Sequence, residues 1–229
     1  MSHIVVLSGA GISADSGLST FRDAGGLWEG YDIYEVASID GWYRDKEKVL
    51  DFYNKRREQV FEVDPNPGHH AIANLEEEFD VTVVTQNVDN LHERAGSTNV
   101  IHLHGLLSEA RSEEDPDLVT EIGADAIELG DKAADGSQLR PNVVWFGEAV
   151  PMIQRAVEVV VDADIFIVVG TSLAVYPAAS LVNYSPNGIS KYLVDPSETE
   201  MRITSDWEHI QEKAAIGLPS LAKKLLNNR

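Results

Sequence analysis

The sequence contains no cysteine. That excludes disulfides, thiol nucleophiles, iron–sulfur clusters and any zinc site built on thiolates. Positive charge is also scarce: 18 Lys and Arg stand against 38 Asp and Glu, a formal charge of −20. A field of that sign repels phosphate backbones and anionic lipid, so neither nucleic acid nor a membrane surface is an expected partner. The acidity is read as solubility, with a specific basic partner as the alternative. The opening MSHIVVLSGAGIS has no basic leader and too short an apolar run for a signal peptide or a membrane span, so a cytoplasmic location is expected. Repeats and long low-complexity tracts are missing as well. At 229 residues and 43% hydrophobic, the chain suits one compact unit with room for an inserted module.

What is present is a set of short apolar, β-branched runs: His3 to Ser8, Val81 to Thr85, Val100 to Leu103, Ile165 to Val169 and Lys191 to Val194. Helical spacing recurs between and after them, including Pro151 to Val161 and Pro219 to Leu226. Strands alternating with helices predict an α/β fold, a parallel sheet covered on both faces. Two segments break the alternation: Trp28 to Gly68, rich in aromatics and charges, and the acidic Ser108 to Arg140. Both are read as insertions building a smaller lobe. The large lobe is then expected over about 1–27, 75–107 and 141–229, and the small one over about 28–74 and 108–140.

After the first run comes Gly9-Ala10-Gly11-Ile12-Ser13-Ala14, a G-x-G-x-x-A form of the dinucleotide fingerprint. Glycines there allow a tight turn and close approach to a pyrophosphate, with support from the next helix N-terminus. A purely structural glycine turn is the alternative, since the usual confirming acid is obscured by the first insertion. Asn87 and Asp89 follow a strand and so stand where open α/β sheets bind ligands. They could also be ordinary turn and cap formers. His104 follows another strand; imidazole titrates near neutrality and suits general-base work. His102 reads instead as a partner for a backbone carbonyl, His69 and His70 as cap or solvent-facing residues, and His92 as structural. Arg22, near the phosphate loop, suits bidentate anion contacts or is a surface charge.

These blocks, in order, are Ser19-Thr20-Phe21-Arg22, Gly26-Leu27-Trp28, Thr85-Gln86-Asn87-Val88-Asp89, His102-Leu103-His104-Gly105, Val144-Trp145-Phe146-Gly147-Glu148 and Gly170-Thr171-Ser172. Together they resemble the sirtuin family of NAD-dependent protein lysine deacylases over most of the chain. The resemblance implies a Rossmann-like large domain and a small lobe, with NAD and an acyl-lysine protein or peptide meeting between them. It implies His104 as the general base, with Asn87 and Asp89 beside it in the catalytic set. Cofactor contacts are implied for Gly9, Ala10, Gly11, Ile12, Ser13, Asp15, Phe21, Arg22, Trp28, Gln86, Val88, Gly170, Thr171, Ser172, Asp195 and Ala214. The peptide is expected to add a strand beside Val144, Phe146 and Gly147. Leu193 departs from the family, which usually has asparagine there.

Ala37, Tyr53 and Arg56 bear on the acyl group. Positions i and i+3 share a helix face, so a phenol and a guanidinium can converge on one pocket and hold a carboxylate, the small Ala37 leaving room. Packing and snorkelling of the two side chains is the alternative. All three match sirtuins that prefer succinyl-, malonyl- or glutaryl-lysine. Sirtuins typically carry four zinc-binding cysteines within the segment matching Ser108 to Arg140, and none stands here. A metal-free lobe is expected, packed through Leu118, Ile122, Ile127 and Leu129. Mono-ADP-ribosyl transfer, or NAD binding without catalysis, would share the cofactor residues but not require Tyr53 and Arg56.

Overall fold

The computed structural model describes residues 1–19, 30–197 and 206–227, and the backbone of 27–28. The first half runs β1 (His3–Ser8), α1 (Gly11–Ala14), β2 (Leu27–Trp28), β3 (Tyr31–Asp32), α2 (Ile33–Val36), α3 (Ile39–Arg44), α4 (Lys46–Glu62) and α5 (Pro67–Leu75). Then come β4 (Asp80–Thr85), α6 (Leu91–Ala95), β5 (Val100–His102), β6 (Gly105–Ser112), β7 (Val119–Glu121) and β8 (Leu139–Val143). The chain continues with α7 (Ile153–Val161), β9 (Ile165–Val169), a 3₁₀ helix (Ala178–Tyr184), β10 (Ser190–Val194), β11 (Trp207–Ile210) and α8 (Ala214–Asn227).

Six strands form a parallel sheet in the order β11-β10-β9-β1-β4-β5. Its layering follows from β1, whose residues Ile4 to Leu7 are all fully buried. Successive side chains leave a strand on opposite faces. Ile4 and Val6 join the cluster under α5 and α8, with Ile72, Leu75, Leu218 and Leu221. Val5 and Leu7 join the cluster under α7 and the 3₁₀ helix, with Ala156, Val160 and Leu181. The chain builds outward from β1 to β4 and β5 on one side, then returns to lay down β9, β10 and β11 on the other. This reversal leaves a crevice beyond the strand C-termini, where such sheets bind ligands.

A third cluster stands apart. Val36, Trp42, Phe52 and Tyr53 from α2, α3 and α4 pack with Leu107, Ala110, Val143 and Trp145, around an antiparallel sheet of order β7-β6-β8. The acidic insertion is thus partly a sheet, which its polar strands concealed. The side-chain amide of Asn54 acts as a strand partner: Nδ2 donates to the Ile127 carbonyl at 3.0 Å and Oδ1 accepts from the Ile127 N–H at 2.9 Å. Arg57, fully buried, donates from Nε to the Leu107 carbonyl at 2.6 Å. Ser112 closes the far end. Its hydroxyl donates to Asp135 at 2.6 Å and accepts the N–H groups of Glu114 and Asp115 at 3.0 and 2.9 Å. Of the expected packing residues, Ile127 is buried and Ile122 packs on the cluster, but Leu129 is 53% exposed and Leu118 lies outside it.

Two expected boundaries are corrected. Residues 67–74, assigned to the smaller lobe, form α5, which packs on the parallel sheet through Ala71, Ile72 and Leu75. Asn66 caps that helix, its Oδ1 accepting the Gly68 N–H at 2.9 Å, and Pro67 occupies its first turn, where no N–H is needed. The final helix starts at Ala214 rather than Pro219, with the proline inside it. No helix among the described residues is long and apolar enough to cross a membrane.

Candidate active site

A cavity of about 610 Å³ opens where the parallel sheet meets the third cluster. Gly9, Ala10, Gly11, Ser13 and Asp15 line it from the β1 loop and α1, and Gln86, Asn87, Val88 and Asp89 from the loop after β4. His104 lines it, as do Gly170, Thr171 and Ser172 after β9, Asp195 after β10 and Ala214 at the start of α8. Ala37, Tyr53 and Arg56 reach it from α2 and α4, and Val144, Phe146 and Gly147 from the segment after β8. Phe21 and Arg22 lie outside the described residues, as does the side chain of Trp28. Ile12 is the exception: its side chain is fully buried in the core beneath α5 and α8. Ile12 lies in α1, and its apolar side chain anchors the preceding loop from below.

Within the protein the glycines meet a second loop. A Cβ on Gly9 would stand 2.7 Å from Thr171 Cβ, and one on Gly11 would stand 2.6 Å from Gly170 Cα. The β1 loop therefore packs backbone to backbone against the β9 loop, and Gly170 itself adopts φ +60°. The helix after this loop, α1, is a single turn of four residues. Its macrodipole is too short for the expected anion stabilisation, and the N–H groups of Gly9, Gly11, Ile12 and Ser13 already donate to backbone carbonyls.

A network crosses the cavity floor. The Asn87 amide donates to the Gly9 carbonyl and the Ser13 hydroxyl, both at 3.2 Å, and Ser13 donates to Asp89 at 3.0 Å. Burial pushes the Asp89 carboxyl above its usual value, against the opposing pull of the Leu91 N–H and the Ser13 hydroxyl. Gln86 Nε2 donates to Thr171 Oγ1 at 3.0 Å, tying the two sides of the crevice.

His104 Nδ1 lies 2.9 Å from the Gln86 carbonyl. A carbonyl only accepts, so Nδ1 carries the proton and Nε2 keeps its lone pair. Burial lowers the His104 pKa, against the Gln86 bond, and the ring is neutral at pH 7. These are the properties of a general base. His102 contacts two acceptors, the Asn87 carbonyl at 3.2 Å and Glu93 at 2.6 Å. Burial alone would lower its pKa, but the Glu93 bond and charge outweigh this and raise it. His92 is fully buried with Nε2 2.9 Å from Ser8 Oγ, and His69 accepts the Asn66 N–H at 3.3 Å; burial lowers both pKa values.

At the other end, the Tyr53 hydroxyl accepts from Trp145 Nε1 at 3.0 Å, and Arg56 Nη1 donates to Gln59 at 3.2 Å. Ala37 is joined to the strand segment by its carbonyl, which accepts the Phe146 N–H at 2.9 Å, and Ser38 and Phe146 form a parallel bridge. Trp145, Glu148 and Lys213 also line the cavity, although no role was read for them. Alternation was the available signal for Trp145: half-buried Val144 and exposed Phe146 flank it, so it points the other way, and it is 2% exposed. Lys213 pairs with Asp15 at 3.3 Å. Leu193, fully buried in β10, packs in the core with Val5 and Leu7.

The Sir2 family model matches residues 9–177. An NAD-dependent protein deacylase of Helicobacter pylori strain J99 is 52% identical over 226 residues, 99% of this chain and 96% of that protein. One from Bacteroides thetaiotaomicron is 51% identical over 231 residues, 99% of each. Among solved structures, a Sir2 homologue in complex with NAD superposes with a TM-score of 0.89 at 41% identity, over 99% of this chain and 90% of that one. A Sir2 variant with a deacetylated peptide and 3′-O-acetyl-ADP-ribose gives 0.79 at 30% identity, over 98% and 92%. With its crevice, its His104 base geometry and a family match across most of its length, the chain belongs to the Sir2 family.

Proposed function

We propose that this protein removes acyl groups from protein lysines with consumption of NAD, giving nicotinamide, O-acyl-ADP-ribose and free lysine, and that it prefers acyl chains ending in a carboxylate. One observation carries the preference: Tyr53, Arg56 and Ala37 line the same cavity as His104. The activities of the named relatives support the reaction class.

The residues present fit the cofactor. Buried polar side chains, Asn87 and Asp89 at 6% exposure each, line the cavity beside a loop of glycine backbone, and their oxygens can accept from ribose hydroxyls and the carboxamide. Bound there, NAD supplies an electrophilic ribose carbon with nicotinamide as leaving group. His104 then takes a ribose hydroxyl proton on Nε2, the nitrogen that its Gln86 contact leaves free. Gln86, Asn87 and Asp89 orient the nicotinamide half. Gly9, Ser13, Thr171 and Ser172 would hold the phosphates and ribose, and Asp195 the adenosine ribose. The peptide lies along Val144 to Gly147, held by main-chain bonds.

Tyr53 and Arg56 hold the distal carboxylate; burial raises the Tyr53 pKa, so the phenol keeps its proton. Acetyl-lysine, which lacks that carboxylate, is a poorer substrate. We further read the smaller lobe as metal-free, joined instead by the Asn54 and Ser112 contacts. The test is turnover with NAD and matched succinyl-, malonyl- and acetyl-lysine peptides, following nicotinamide and peptide mass. Arg56→Met should lower succinyl turnover about 10- to 100-fold, the worth of a charge-assisted hydrogen bond. Equal losses on acetyl-lysine would defeat the carboxylate anchor.

A further inference from the structure

The Tyr53 hydroxyl makes its protein hydrogen bond to an indole. An indole N–H can only donate, so Trp145 Nε1 occupies a lone pair of the phenol oxygen, at 3.0 Å between side chains 2% and 1% exposed. The phenol proton is thereby directed away from Trp145, and among the described residues it meets no protein acceptor. Tyr53 also lines the cavity. A donated hydrogen bond polarises the phenol and strengthens its own donation.

Trp145 is itself held on every side. The Arg140 guanidinium stacks over its ring, 3.4 Å from the centroid. Glu148 grips Arg140 with both carboxylate oxygens, at 2.7 and 3.0 Å, and accepts the Trp145 backbone N–H at 2.8 Å. Arg140 Nη2 also donates to the Val143 carbonyl at 3.0 Å. The indole thus cannot turn without breaking a buried ion pair.

We infer that Trp145, clamped by Arg140 and Glu148, is a positioning residue for acyl selectivity: it sets Tyr53 as a hydrogen-bond donor into the acyl pocket. A carboxylate accepts and never donates, so it gains from a fixed donor, whereas an acetyl methyl does not. This inference rests on the acidic-acyl reading and adds a residue to it.

The experiment measures kcat and KM for succinyl- and acetyl-lysine peptides in the wild type, Trp145→Phe, Tyr53→Phe, the double variant and Arg56→Met. Trp145→Phe keeps a ring for Arg140 and removes the N–H. The succinyl-to-acetyl ratio of kcat/KM should fall about tenfold, the size of one buried hydrogen bond, through the succinyl KM. The double variant should fall no further than Tyr53→Phe alone. Should Trp145→Phe fold poorly, benzothienylalanine at 145 replaces the N–H by sulfur in the same shape and should give the same ratio. The inference is overturned if both substrates lose equally, if the ratio holds, or if the two substitutions multiply. An Arg56→Met ratio equal to the wild type overturns the carboxylate reading, and the inference with it. A collapse there beside an unchanged Trp145→Phe ratio overturns the inference alone.

Discussion

Replacing Glu148 by alanine should destabilise the protein by about 3 kcal/mol, because it strands two buried guanidinium groups. The Arg140 and Arg111 side chains are 3% and 11% exposed, and both bind Glu148, which is itself 18% exposed. Breaking a buried pair typically costs about 3–5 kcal/mol, and partial solvent access to the carboxylate places this one at the low end. Burial would raise the Glu148 pKa, but the Arg140 bond and charge outweigh it and hold the carboxyl below its usual value. The contribution is therefore present at neutral pH and lost only as pH falls through that depressed value. For a chain of this length, about 3 kcal/mol corresponds to roughly 6–12 °C in Tm. Urea unfolding followed by tryptophan fluorescence suits the assay, since Trp42 and Trp145 lie 5.5 Å apart in the same cluster. Glu148→Gln keeps an acceptor for the Trp145 N–H and should lose less. A loss under about 1 kcal/mol for Glu148→Ala, the range of an exposed pair, would refute the reasoning.

The acid limb of kcat/KM should lie below pH 6.5, because burial lowers the His104 pKa; a limb above that value would contradict the neutral base. Stability should fall from pH 7 toward pH 5. His69, lowered to about 4 by burial first and by His70 second, is neutral in the fold, while the unfolded chain gains a proton near 6.5. Linkage gives about 2 kcal/mol from His69 at pH 5, with a further loss from His92. His92→Gln should reduce the urea-measured drop, and an unchanged drop would clear the histidine of this role. Chelator treatment should leave both activity and Tm unchanged; stoichiometric zinc in the purified protein would overturn the metal-free lobe.

Much of the sheet was legible because its strands are buried on both faces. The runs His3 to Ser8 and Ile165 to Val169 coincide with β1 and β9, since short apolar runs rich in β-branched residues and ended by a glycine suit strands buried on both faces. β11 was missed, its Trp207–Ile210 alternating with charge, as were β6 and β8, whose GLLSEARS and LRPNV carry serine, arginine and proline. Their pairing depends on long-range partners rather than on local pattern. At the site, the loop after β4 and His104 were readable because ligands gather at strand C-termini. The Trp145, Arg140 and Glu148 network was not. Its members are close in sequence, but what joins them to Tyr53 is the fold, 92 residues away. Ile12 shows the converse: a motif assigns a position beside a ligand without saying where the side chain goes.

The hydrogen bond from Phe146 to the Ala37 carbonyl joins the residue proposed to size the acyl pocket to the segment along which a peptide would lie. Selectivity for acyl length and grip on the peptide main chain are therefore geared together. A bulkier residue at 37 would push the segment as well as fill the pocket. On the proposed reading, a substitution at 37 that retunes acyl length would also weaken the grip on every peptide, whatever its modification. Tyr53 shares this coupling, since its hydroxyl accepts from Trp145 in the same segment.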